Sequence, residues 1–209
     1  MKNRIRIVLF SVALIGLILS TSCASSKIPT NTTNSLSTSA NGLSLSLSLS
    51  KTTYQPGQEV SLTVDVKNTW SKTNHVTLSN DWPYNNLASG QCDLGSPYGI
   101  AIFQGNYTSS DFSTATPIAL WDYNFVVPCP ISIPISSYVF KPLSDIATAF
   151  SSNASFPNST YAINAEFTET GYWTGNAPNA TLTDFQPGVY TVVAGDEWGA
   201  LVVLHFTVS

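Results

Sequence analysis

Four leucines, Leu43, Leu45, Leu47 and Leu49, alternate with serines between Gly42 and Ser50. Side chains of an extended strand point to opposite faces in turn, so this segment predicts a strand with one apolar and one hydroxyl face. The apolar face must be covered, either by the rest of its own domain or by a neighbouring subunit. Residues 59–67 repeat the pattern through Val60, Leu62, Val64 and Val66, and Pro56-Gly57 marks a turn just before them. Further strands are predicted at residues 75–79, 98–103, 117–127, 137–140 and 161–167. Ile131, Ile133 and Ile135 also alternate, but Pro130 and Pro134 demote that piece to an edge or an irregular segment. Residues 188–194 and 200–208 form a closing hairpin about a turn at residues 195–199. Residues 143–150 predict one or two helical turns. Eight or nine short strands without a long helix predict an all-β chain folded as a two-sheet sandwich.

The chain begins with a different pattern. Lys2, Arg4 and Arg6 precede an apolar run over residues 7–19, and Ser22-Cys23-Ala24 supplies small residues for cleavage. Residues 1–24 are therefore expected to be a removed signal peptide, too short to be a permanent span. Cleavage before Cys23 is the alternative and would leave a thiol for a lipid; Ser20 stands where a lipobox has leucine. The membrane is expected to matter only through this leader or that lipid. Residues 25–50 follow as a polar tail and candidate donor strand, and residues 51–209 as the head domain.

Loss of the leader changes the charge balance. Removing Lys2, Arg4 and Arg6 from eight basic residues leaves five lysines against twelve acids, a net charge of −7 with no arginine. Such a surface suits neither nucleic acid nor an anionic membrane. Only 10% of residues are charged, so solubility must come from Ser, Thr and Asn or from what they carry. Acceptor sequons for N-linked glycans stand at Asn31, Asn106, Asn153, Asn158 and Asn179. Once Cys23 leaves, Cys92 and Cys129 remain, and an exported chain predicts a disulfide between them.

Catalytic chemistry finds little footing. The chain has no G-x-S-x-G, no H-E-x-x-H and no glycine-rich phosphate loop. The sole methionine is the initiator, and the cysteines are not a C-x-x-C pair, so no metal and no cofactor are expected. Asp81-Trp82, Trp121-Asp122 and Asp196-Glu197-Trp198 set acids beside aromatics, as a carbohydrate site would, although packing tryptophans explain the same pairs. His205 lies in the last alternating strand, which suits a structural role. The chain is not expected to be an enzyme.

The segment Tyr54-x-Pro56-Gly57-x-x-Val60, the strand ending at Val66-Lys67-Asn68-Thr69 and the Pro187-Gly188-Val189-Tyr190 strand resemble secreted prokaryotic immunoglobulin-like domains. That resemblance implies an immunoglobulin-like sandwich. Low charge, richness in Ser, Thr and Asn, the sequons, the cleaved signal and a strand-prone arm resemble, over the whole chain, the subunit of the archaeal thread filament. This second resemblance implies a head-to-tail homopolymer in which each tail enters the next head as a missing strand, with Leu43, Leu45, Leu47 and Leu49 as the plugs. Three readings follow: a glycosylated surface filament serving adhesion or biofilm formation, a monomeric surface-binding domain for carbohydrate or the cell envelope, and, last, a secreted hydrolase. The alternatives are that the ladder pairs within its own chain, or that Leu36 and its neighbours are donated while Leu43 onward is retained.

Overall fold

The computed structural model describes residues 34–78, 87, 97–122, 124, 135–151 and 160–209. Among them are fourteen strands and one short 3-10 turn. In chain order the first seven strands are β1 (Ser35–Ala40), β2 (Leu43–Leu49), β3 (Thr53–Tyr54), β4 (Val60–Asn68), β5 (Asn74–Thr77), β6 (Tyr98–Gln104) and β7 (Ile135–Phe140). The remaining seven are β8 (Ile146–Ser151), β9 (Thr160–Ala162), β10 (Asn164–Glu169), β11 (Gly171–Thr174), β12 (Thr181–Asp184), β13 (Gly188–Asp196) and β14 (Leu201–Val208). The 3-10 turn spans Phe112–Thr114, between β6 and β7.

Two sheets make the sandwich, in the orders β1-β2-β4-β10 and β3-β14-β13-β6. The chain switches sheets between β2, which pairs with β4, and β3, which runs parallel to β14. That early switch and the final β13–β14 hairpin give an immunoglobulin-like arrangement. A third sheet, β5-β7-β8-β9, and a ribbon, β11-β12, are added to it.

The alternating patterns decide which faces meet. Leu43, Leu45, Leu47 and Leu49 are 0–2% exposed and lie in register beside Asn68, Val66, Val64 and Leu62 of β4. Ile100, Ile102, Tyr190, Val192, Val202, Leu204 and Phe206 of the second sheet belong to the same core. Tyr190 and Phe206 stack at 5.0 Å, with Tyr54 and Phe185 edge-on to Phe206. Each buried leucine contributes about 1.5–3 kcal/mol by transfer from water. On the opposite face, Ser35, Ser37 and Ser39 of β1 stand in register with Ser48, Ser46 and Ser44 of β2.

β6 and β13 are buried on both faces, which explains why residues 100–103 and 192–194 read as continuous apolar runs. Ala101, Phe103 and Val193 point away from the main core and are covered by Phe112 and Leu87. Two buried asparagines fasten the end near the β1–β2 turn. Asn68 donates through Nδ2 to the carbonyls of Lys72 and Lys141 and accepts from the Trp70 N–H; Asn74 donates to the Asn41 carbonyl. The turn is Asn41-Gly42, with φ of 53° and 75° and Ala40 opposite Leu43, the left-handed pair a two-residue hairpin requires.

The structure departs from the sequence expectations in four places. Residues 117–122 form no strand; Ala119 makes an isolated bridge with Trp173, and Asp122 turns the chain by accepting the Asn124 N–H. Residues 143–150 are not helical: Ile146–Ser151 is β8, pairing with β7 and burying Ala147 and Ala149. A helical turn that short closes too few hydrogen bonds to compete with a ladder on both edges. Residues 161–167 divide between two sheets at buried Ile163, whose N–H reaches Asp145 and whose carbonyl takes the Val66 N–H. The sandwich also begins earlier than residue 51, since residues 35–49 pair within it.

Leu45→Ala is expected to lower the unfolding free energy by about 2–5 kcal/mol in urea denaturation, through lost transfer energy and a residual cavity. Gly42→Ala is expected to lower it by more than about 1 kcal/mol, since the left-handed backbone disfavours a Cβ. That Cβ would also lie 2.2 Å from the Trp70 ring.

Candidate assembly edge and surface sites

Leu43, Leu45, Leu47 and Leu49, the candidate donor plugs, fill the core of their own chain here. The strand ahead of them is built otherwise. On β1, Leu36, Thr38 and Ala40 stand opposite Leu47, Leu45 and Leu43, so they share the ladder's apolar side, but β1 lies at the sheet edge. Leu36 is 38% exposed, and no residue of β1 is buried.

The second sheet has an edge that the described residues cover incompletely. β3 pairs with β14 only at Thr53↔Thr207 and Tyr54↔Val208. The N–H groups of Thr207 and Ser209 point outward, to the carbonyls of Thr52 and Tyr54. Backbone groups alternate along a strand, so those of Leu201, Val203 and His205 also face away from β13. Among the described residues no strand pairs with this stretch. Beside it is a groove of about 360 Å³ lined by Leu36, Thr108, Leu201, Val203 and His205. His205 is held by Nε2 at 2.8 Å from the Tyr107 carbonyl, a structural role. Thr191 fixes the same loop by accepting the Tyr107 N–H and donating to the Gly105 carbonyl.

Two sequon asparagines can be placed, and both are exposed. Asn106 lies in the loop after β6 and Asn179 in the turn between β11 and β12. The Asn179 turn is anchored by Asn124, which accepts the Ala180 N–H at 2.8 Å and donates to the Ala180 carbonyl. Asn31, Asn153, Asn158, Cys23, Cys92, Cys129 and the Asp81-Trp82 pair lie outside the described residues.

The remaining acid–aromatic pairs are used in packing. Trp121 meets Phe167 edge-on. Trp198 packs against Tyr138 and Phe140 and donates from Nε1 to the Thr77 carbonyl, fixing the third sheet to the β13–β14 turn. Asp196 is fully buried in that turn. Asp65 and Glu169 are held above the usual carboxylate range by burial; Asp145 raises Asp65 further and Lys67 partly offsets this. Among the described residues no group of three or more His, Cys, Asp or Glu is placed to hold a metal ion. Sequence reasoning read the β13–β14 hairpin correctly and missed the open edge, because the shortness of β3 leaves no mark in the pattern of residue types.

Leu36→Ala is expected to lower the unfolding free energy by less than about 1 kcal/mol in urea denaturation, in contrast to Leu45→Ala, because its side chain is already partly in water. No family model, curated protein or solved structure matches the chain.

Proposed function

We propose that this chain is the structural subunit of an extracellular cell-surface filament, in which the N-terminal arm of one copy adds as a strand to the head of the next. The observation that carries the proposal is the edge of β14 that no described strand pairs over residues 201–206, beside the groove lined by Leu36. An added strand gains main-chain hydrogen bonds along such an edge, and its alternate side chains enter the adjoining groove. Each bond contributes about 0.5–1.5 kcal/mol net. The donor is the arm ahead of the leucine ladder, because the ladder is occupied at home. Residues 25–33 span about 30 Å when extended, and a six-residue edge needs about 20 Å. The contact is heterologous and does not close on itself, so repetition builds a fibre. An export leader, exposed acceptors at Asn106 and Asn179, and a low-charge surface suit a glycosylated subunit outside the cell, where such fibres serve adhesion or biofilm formation.

A second reading, a monomeric surface-binding domain, draws on the same ladder: a head whose core its own leucines fill needs no partner to fold. One variant separates the two. The Val203 N–H faces away from β13, so Val203→Pro removes an outward donor and leaves the in-chain ladder intact, as proline is tolerated on edge strands. The filament reading expects thin fibres of the native chain by negative-stain electron microscopy. With Val203→Pro it expects folded heads of monomer mass. Native protein that sediments as a monomer and shows no fibres favours the binding domain. Mass spectrometry of that native protein is expected to show glycan mass on peptides containing Asn106 and Asn179.

A further inference from the structure

The turn between β13 and β14 is organised around a carboxyl group shut away from water. Asp196, at the end of β13, is fully buried. Its Oδ1 accepts the backbone N–H groups of Trp198 at 3.0 Å and Ala200 at 2.8 Å, and its own N–H donates to the Ala200 carbonyl at 2.9 Å. Oδ2 is buried and has no hydrogen-bond partner among the described residues. From β6 it faces Tyr98, its partner in the strand register. From the turn itself it faces the Glu197 carboxylate, a like charge that no lysine offsets among the groups acting on it. Tyr138 of β7 belongs to the same neighbourhood, since Tyr98 and Glu197 both act on its hydroxyl.

An ionised carboxylate needs several donors or a cation when it leaves water, and here one oxygen has neither. A neutral carboxylic acid fits the site at much lower cost. We infer that Asp196 is a proton-operated latch: its carboxyl is neutral and the turn closed in weakly acidic medium, whereas above neutrality it ionises and loosens the start of β14. Desolvation by burial pushes this carboxyl up to about 6; Glu197 pushes the same way, and the N–H groups of Ala200, Trp198 and Gly199 partly oppose them. The folded state therefore binds the proton more tightly than the unfolded chain, whose aspartates titrate near 4. Stability contributed by this proton is fully present below about pH 4 and is lost as pH rises through about 6. Over that window the unfolding equilibrium constant rises roughly tenfold per pH unit from this group, about a hundredfold in all.

The test compares the wild-type chain with Asp196→Asn, a neutral isostere, by urea denaturation between pH 4 and pH 8. The wild type is expected to lose stability as pH rises across the window. Asp196→Asn is expected to lose about a hundredfold less in its equilibrium constant, and to be the more stable of the two at pH 8. Parallel pH profiles would overturn the latch. A second measurement needs no variant: the side-chain carboxyl carbon of Asp196 in the folded protein, followed by NMR, is expected to titrate above pH 5, and a midpoint at or below 4 overturns the proposal. Amide exchange at Trp198 and Ala200 is expected to accelerate above pH 7 beyond the intrinsic base-catalysed rise, and an unchanged protection factor counts against loosening.

Discussion

The contact between two period-2 ladders holds the molecule together. The leucines of β2 and the valines and leucine of β4 lie in register on one side of the first sheet, and the second sheet closes over both. Everything else is placed relative to that contact. The Asn41-Gly42 turn folds β1 back along β2, β3 carries the chain across to β14, and the third sheet adds Tyr138, Phe140, Ala147 and Ala149 to the same core. A one-residue slip of β2 would exchange four leucines for serines in the core, so its register is strongly specified. The valines opposite leave no comparable alternative.

That strength has a functional side. A strand so well seated is a poor candidate for release, whereas β1 is joined to it by one tight turn and buries none of its residues. The chain thus separates two duties within fifteen residues: a segment that makes the head and a segment that the head scarcely uses. The edge of β14 left open by the described residues and the underused strand border one groove, and the proposed assembly rests on that juxtaposition. The two described acid–aromatic pairs, by contrast, are spent on packing, as Trp198 illustrates by joining the third sheet to the last hairpin.

Much of the sandwich was legible where residue type marks burial, by one wet and one dry face in β2, β4 and β14 and by apolar runs buried on both faces in β6 and β13. β2, β4, β6, β13 and β14 carry their burial in residue type alone. The misreadings fall where tertiary contacts override the local pattern. Residues 117–122 have strand-like aromatics, yet Asp122 bends the chain and Trp121 packs on Phe167. Residues 146–149 alternate isoleucine or threonine with alanine, a weak signal that β7 and β9 convert into a strand. Ile163 changes sheets within one residue, and nothing in its type announces that. β11 and β12 escaped notice because four residues each are too few to show an alternation distinct from a loop. Of the site, the arm was legible as a strand former and the edge was not, since an edge is defined by which strand fails to arrive.

The serine face of β1 and β2 has a consequence for the medium in which the protein can work. Six serines stand in three facing pairs on the outer side of the first sheet, and the ionisable groups of that side begin only on β4, where Lys67 and Asp65 lie beside Ser44 and Ser46. Charged surfaces owe their hydration to groups that protons neutralise and salt screens. Hydroxyl groups neither titrate in the biological range nor attract a counterion atmosphere. The β1–β2 part of this face therefore keeps much the same water shell in brine, in dilute buffer and in acid, and only its border with β4 responds to proton and salt.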